Sequence, residues 1–228
     1  MNTALPNARY EHKFLAEGHS LSDVLSLVRR HPAAFRETFK ERVVNNIYLD
    51  TPGLNDFQDH VNGLAHRVKN RVRWYGPASS RIEHPALELK LREGRLTGKI
   101  THRLPELTLK AIGVNQQLGQ LFDSANLPEM PRARLRHREP TLFNRYRRHY
   151  FASGDGRFRL TVDSQLRFGE VGTATLPDGF LSPCASCLVV ELKFLPEHAE
   201  QADDVTRHLP FRLTRCSKYV MGVQRIKL

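Results

Sequence analysis

The stretch HRVKNRVRWYG, residues 66–76, carries basic side chains at every second position: Arg67, Lys69, Arg71 and Arg73. Successive side chains of a strand point to opposite faces. A strand here sends all four cations one way and Val68 and Val72 the other. Four like charges on one face repel unless something negative sits among them. The segment therefore predicts a strand facing a ligand of high negative charge density.

The same phase recurs along the chain. Residues 9–17 read as a strand with Arg9, Glu11 and Lys13 on one face. In 86–94, Glu88, Lys90 and Arg92 oppose Leu87, Leu89 and Leu91. Further strands are expected at 43–50, 142–153, 157–168 and 187–194. Tyr146, Arg148 and Tyr150 share a face, as do Arg157, Arg159, Thr161 and Asp163, and Glu191 shares one with Lys193. Gly154-Asp155-Gly156 is a strong hairpin turn. Helices are expected from Ser20, a natural N-cap, at 54–64, 115–125 and 196–208, and at 217–227 with Ser217 near its start.

Polar alternation usually means a solvated outer face. Repeated over several strands, with Arg, Lys and Glu at matching phase, it fits better with a sheet curled so that charge lies inside and the apolar face lies outside under helices. The expected class is α+β: an antiparallel β-barrel tunnel of about eight strands with helices packed outside, one domain spanning residues 1–228.

Composition narrows the partner. The chain has 228 residues, 40% hydrophobic, and a net charge of +11, so a globular core with a polyanionic ligand is expected. No run approaches the roughly 20 apolar residues of a membrane helix, and the N-terminus lacks a signal-peptide core; a cytoplasmic location is expected. Nucleic acid is disfavoured: aromatics are 8%, and carboxylates in phase with the cations would repel RNA. Cys184-Ala-Ser-Cys187 has no second pair to complete a zinc site, so the three cysteines, Cys216 included, read as reduced thiols.

The motifs RYEHKF, YLDTP, RVRWYG, LELKLREG, NRYRRHYF, RLTVD, VVELKF and SKYVMGV, in this order from Arg9 to Val223, resemble the polyphosphate polymerase (VTC) domain of the triphosphate tunnel metalloenzyme superfamily. The resemblance implies an antiparallel tunnel whose interior binds triphosphate or polyphosphate, with Mn²⁺ or Mg²⁺, and a polymerase that extends polyphosphate from the γ-phosphate of ATP. It implies that Lys13 lies near the reacting phosphate, that Arg71 and Arg73 are paired tunnel arginines, and that Lys90 joins them from the next strand. Tyr146, Arg148, Arg159, Ser217 and Lys218 would bind phosphate, with Lys193 beside them. Glu191 would bind metal, with Glu11 and Glu88 as further candidates.

The chain begins Arg-x-Glu-x-Lys where the wider superfamily often has Glu-x-Glu-x-Lys, which leaves fewer metal ligands. Lys99, His102 and Arg103 are candidates for further basic positions. No appended phosphate-sensing domain or membrane anchor is found, so a solitary, prokaryotic version is expected. His12 and Trp74 are expected outside, Tyr48 and Asp50 as structural residues, and Arg67 and Lys69 near the tunnel mouth. Hydrolysis of triphosphate and non-catalytic binding of polyphosphate remain the alternative functions.

Overall fold

Alternating charged and aliphatic side chains form long strands, and every ladder between them is antiparallel. A computed structural model of the chain describes residues 5–78, 81–110, 113–172, 181–184 and 187–228. The strands are β1 (Tyr10–Leu15), β2 (Arg36–Asp50), β3 (His66–Tyr75), β4 (Ala86–Glu93), β5 (Leu96–Arg103), β6 (Glu139–Ala152), β7 (Phe158–Gly169), β8 (Ser182–Pro183), β9 (Val189–Phe194) and β10 (Arg212–Leu213). The helices are α1 (Leu21–Arg29), α2 (Asn55–Val61), α3 (Val114–Ser124), α4 (Glu129–Leu135), α5 (Ala199–Thr206) and α6 (Lys218–Ile226).

The sheet runs β10-β1-β9-β7-β6-β2-β3-β4-β5, with β8 on β7. This corrects the expectation of a closed barrel: among the described residues no ladder joins the two edges. A single bridge between Arg9 and Thr97 draws the start of β1 against β5 through two backbone hydrogen bonds of 3.0 and 2.9 Å. Sheet twist and curvature bring the edges this close, but β10 already occupies the far half of β1 at Phe14 and Leu15. The tunnel is therefore a deeply curved open sheet.

Apolar side chains are on the outside, as the phase requires. Ile47, Leu49, Val72, Trp74, Leu87, Leu89 and Phe143 form one outer core with residues of α3 and α4. Phe14, Phe151, Leu160, Val162, Val190, Leu192 and Phe194 form another with α1 and α5. Trp74 is buried in the first, its indole N–H donating to the Pro77 carbonyl at 3.2 Å. His12 packs edge-on against Phe194. α1 starts with a capping box: the Ser20 hydroxyl accepts from the Asp23 N–H at 3.2 Å, and the Asp23 carboxylate accepts from the Ser20 N–H at 3.0 Å.

A third core lies on the inner face. Here α6 and α2 cover Val44, Tyr48, Leu142, Phe168 and Val189 and plug one end of the tunnel. Asp50, fully buried at the end of β2, holds this plug together. Its carboxylate accepts the backbone N–H groups of Asp56 and Phe57, each at 2.9 Å, and the Tyr219 hydroxyl. The expected structural role of Asp50 is what the structure has. Near the plug, the Cys184 and Cys187 side chains lie together, with Cα atoms 5.4 Å apart, close enough to bridge, where three reduced thiols were expected. Cys216 is free.

α6 approaches the sheet closely at Gly222, where a Cβ would meet Phe168 Cδ1 at 2.6 Å as well as both methyls of Leu142. Leu142 and Phe168 are fully buried and cannot swing away. Gly222→Ala is expected to destabilise the fold by about 1–3 kcal/mol through overpacking. That corresponds to a fall of several degrees in the thermal midpoint. An unchanged melt would show that α6 is seated less tightly than the structure has it.

Candidate active site

The inner face encloses a cavity of about 650 Å³. Twelve Lys and Arg side chains line it: Arg9 and Lys13 from β1, Arg42 from β2, Lys69, Arg71 and Arg73 from β3, Lys90 and Lys99 from β4 and β5, Arg148 and Arg159 from β6 and β7, Lys193 from β9 and Lys218 from α6. Against them the wall presents two carboxylates, Glu11 and Glu191. Two more, Glu88 and Asp163, stand behind it and are buried. Twelve cations against four carboxylates leave an excess of eight, most of the chain's +11.

Register explains the convergence. On one side, Tyr150, Thr161, Glu191 and Lys13 form a continuous rung across β6, β7, β9 and β1. On the other, Arg71 pairs with Glu88, and Lys69 with Lys90 and then Lys99, across β3, β4 and β5. The sides meet where the Lys90 ammonium donates to Glu11 at 2.6 Å. Of the expected site residues, Lys13, Arg71, Arg73, Lys90, Tyr146, Arg148, Arg159, Lys193, Ser217, Lys218, Glu191 and Glu11 all lie on the cavity wall.

Glu88, expected among the metal ligands, does not. It shares their face, but its neighbours close over it. One oxygen accepts from Arg71 Nε and Nη2 at 2.9 and 2.6 Å and lies 3.4 Å from Arg73 Nη1; the other accepts from Lys99 at 2.7 Å. Burial disfavours its charge, yet Arg73, Arg71 and Lys99 together hold its carboxyl far below the ordinary range. Glu88 is the base on which the tunnel arginines are set. Arg73 is fixed further by Asn46, which accepts from its Nε at 2.9 Å, and by the Tyr146 hydroxyl at 3.3 Å.

Asp163 does the same on the opposite wall. It accepts from Arg148 through two bonds of 2.5 and 2.6 Å and lies 2.5 Å from the Lys218 ammonium. Burial works against ionisation there too, and Arg148 and Lys218 overcome it. Ser217 caps α6, its hydroxyl accepting from the Val220 N–H at 3.3 Å. Ser217, Lys218 and Tyr219 all line the cavity, so the positive end of the α6 dipole faces into it.

The carboxylates on the wall are already engaged. Glu191 is 2.9 Å from Lys193 and 3.5 Å from Lys13; Glu11 is 3.3 Å from Arg9. Burial opposes the charge on both, but the surrounding lysines keep them ionised. Among the described residues, no three His, Cys, Asp or Glu side chains converge as a metal cluster. A divalent cation here fits only in the manner of Mg²⁺, held by one or two carboxylates plus oxygens of a bound phosphate; Glu11 and Glu191 are the donors that fit.

The lysines between the walls are strained electrostatically. Burial and then Lys13 push Lys90 down to about 7, against the pull of Glu11. Lys69 is lowered well below the usual lysine range by burial and by Lys13 and Lys90. Lys69 therefore belongs to the cavity wall, whereas Arg67, expected beside it at the mouth, turns to the Leu64 carbonyl and lies outside the cavity. Tyr48, expected as structural, lines the cavity and stacks on Tyr219 with ring centroids 4.9 Å apart.

The family model of the VTC domain matches residues 8–227. A comparison with curated proteins finds no match. Among solved structures, the PH1819 protein from Pyrococcus horikoshii OT3 is similar at a TM-score of 0.54 and 15% identity, covering 95% of this chain and 99% of its own. HpAC1 from Hippeastrum, described as having a dominant triphosphatase activity, is similar at 0.54 and 14%, covering 97% of each chain. At these identities the likeness is one of fold.

Two substitutions separate the opposed charge effects. Lys69→Met removes one of several crowded cations. In low salt without polyanion it is expected to raise stability by about 1 kcal/mol, or about 2–4 °C in the thermal midpoint. Glu88→Gln leaves Arg71, Arg73 and Lys99 uncompensated and is expected to cost about 3–5 kcal/mol. Thermal melts of both check the signs; a destabilised Lys69→Met variant would show that the cations are not in conflict.

Proposed function

This chain belongs to the VTC domain family, and from that premise we propose that its tunnel binds triphosphate or linear polyphosphate and catalyses metal-assisted phosphoryl transfer. One observation carries the reading: twelve cations line a single interior cavity, with two ionised carboxylates among them. A spherical anion or a single phosphate would leave most of those charges unanswered, whereas an extended chain of phosphates meets both walls.

In its most specific form the reaction is polyphosphate synthesis. A terminal oxygen of the growing chain attacks the γ-phosphorus of ATP; the new O–P bond forms as the bond to the β–γ bridging oxygen breaks, and ADP leaves with that electron pair. Such transfer depends on in-line positioning and on neutralising the oxygens around phosphorus. Arg71 and Arg73, held by Glu88 and Asn46, are pre-set to grip one phosphate with forked donors. Arg148 and Lys218, held by Asp163, do so opposite. Lys13, one end of the rung through Glu191, is the mobile ammonium for the transferring group. Lys90, poised near neutrality, becomes fully charged when an anion displaces its proton equilibrium. Mn²⁺ or Mg²⁺, held by Glu191 and Glu11 with phosphate oxygens, would polarise the transferring phosphoryl group.

Hydrolysis, with water as acceptor, is the second reading. It is favoured by the likeness to the Hippeastrum protein, which is described as a dominant triphosphatase. Lining and charge are the same for both reactions; what differs is whether water or a phosphate chain reaches the phosphorus.

Incubation with ATP and Mn²⁺, and separately with tripolyphosphate and Mn²⁺, followed by gel separation of the products, decides between them. A ladder of long polyphosphate from ATP is the expected result, with Lys13→Ala and Arg73→Ala each lowering the rate at least about 100-fold. Orthophosphate alone would assign hydrolysis. No product from either substrate, combined with no binding of tripolyphosphate, would overturn the phosphoryl-transfer reading altogether.

A further inference from the structure

The cavity wall contains one group that phosphate chemistry does not explain. At the hairpin end of the sheet, away from the α6 plug, Phe39, Tyr75 and Tyr150 surround Arg42. The Arg42 guanidinium carbon lies 4.8 Å from the centre of the Phe39 ring and 5.6 Å from those of Tyr75 and Tyr150. Phe39 meets Tyr150 edge-on at 5.7 Å. Single exposed apolar side chains are ordinary, but these rings cluster on one cation and border one cavity. Phe39 and Tyr75 are 53% and 49% exposed, so each keeps a free face.

Two further observations mark the group as built for a ligand. The β2–β6 ladder is irregular on both sides of Phe39, between Glu37 and Phe39 and again between Phe39 and Arg42. Irregularities of this kind re-aim side chains beside functional sites, and here they place Phe39 on the cavity wall. The Tyr150 hydroxyl is buried and has no hydrogen-bond partner, a state that a polar group from a ligand would relieve. Tyr150 is also the outer end of the rung that leads through Thr161 and Glu191 to Lys13. The Thr161 hydroxyl on that rung is likewise buried and unpartnered.

We propose that Phe39, Tyr75 and Tyr150, with Arg42 among them, form a nucleobase platform at the tunnel mouth, so that a nucleoside triphosphate enters with its phosphates inward and its base stacked on the free aromatic faces. Every base has a π-face, and stacking on aromatic side chains is tolerant of which base it is. Arg42, held over the three rings, then supplies a cation beside the bound nucleotide. The proposal rests on the tunnel being a phosphate site, and it makes the nucleotide the phosphoryl donor that the site is shaped to receive.

Tripolyphosphate has the phosphates without the base, so the pair of ligands separates the two claims. Binding of ATP and of inorganic tripolyphosphate is measured by calorimetry on the wild type, on the Phe39→Ala/Tyr75→Ala double variant and on Tyr75→Phe. Both positions are half-exposed, and thermal melts confirm that the variants fold. The double variant is expected to weaken ATP by about tenfold to a hundredfold, the loss of one stacked base, and to leave tripolyphosphate within about twofold; Tyr75→Phe keeps its ring and should keep ATP affinity. Unchanged ATP affinity in the double variant, or equal losses for both ligands, would overturn the platform while leaving the phosphate site standing. Failure of the wild type to bind tripolyphosphate, with the ATP effect retained, would overturn the phosphate reading and with it the inward orientation of the nucleotide, leaving only the contact between the base and the rings. If the wild type binds neither ligand, both fall.

Discussion

Everything in this structure follows from burying like charges on the inner face of a curved sheet. Twelve cations share a cavity of about 650 Å³, and among the described residues four carboxylates compensate them. The placing of those carboxylates is decisive. Glu88 and Asp163 sit behind the wall and lock Arg71, Arg73, Arg148 and Lys218 into fixed poses. Glu11 and Glu191 stand on the wall among the lysines. The arginines are thereby pre-organised, while Lys69 stands among like charges and Lys90, although paired with Glu11, is still pushed down by burial and Lys13. A folded state that tolerates this has stability set aside for a ligand, the usual relation between a functional site and the fold that carries it.

The fold supplies what that arrangement needs. Apolar alternation on the outer face is covered by α1 and α5 on one side and α3 and α4 on the other. α6 enters the inner face at one end, seated by Gly222 and tied to β2 through Tyr219 and Asp50. The plug leaves the opposite, hairpin end as the side where Phe39, Tyr75 and Arg42 meet solvent. The cavity is thus polar in a second sense: a helix N-terminus and buried, salt-bridged cations inside, aromatic rings outside. No helix among the described residues is long and apolar enough to cross a membrane.

Much of this was legible in the chain because strand phase is legible. The alternation in residues 66–76 put Lys69, Arg71 and Arg73 on one face, and the same phase in the other strands gave the wall residues that the structure brings together. What was missed had no apolar periodicity to announce it. Residues 36–42 extend β2 but are exposed throughout, so Phe39 and Arg42 fall outside the strand expected at 43–50. α4 is short and contains Pro131. Closure was over-read, since alternation gives the face of a strand and not the pairing of its edges. Glu88 shares its face with true wall residues, and only the reach of Arg71 and Lys99 over it sets it back. One partner was recoverable: a tight turn at 154–156 fixes the hairpin register and places Arg148 opposite Asp163.

The central claim is that the cationic interior exists to hold a linear chain of phosphates, and a crystal structure of the protein with tripolyphosphate tests it most directly. The account predicts three consecutive phosphates inside the cavity, between Arg71 and Arg73 on one wall and Lys13, Arg148 and Lys218 on the other. Tripolyphosphate bound only on the outer surface, with Arg71, Arg73 and Lys218 still paired to carboxylates around an interior free of phosphate, would contradict it.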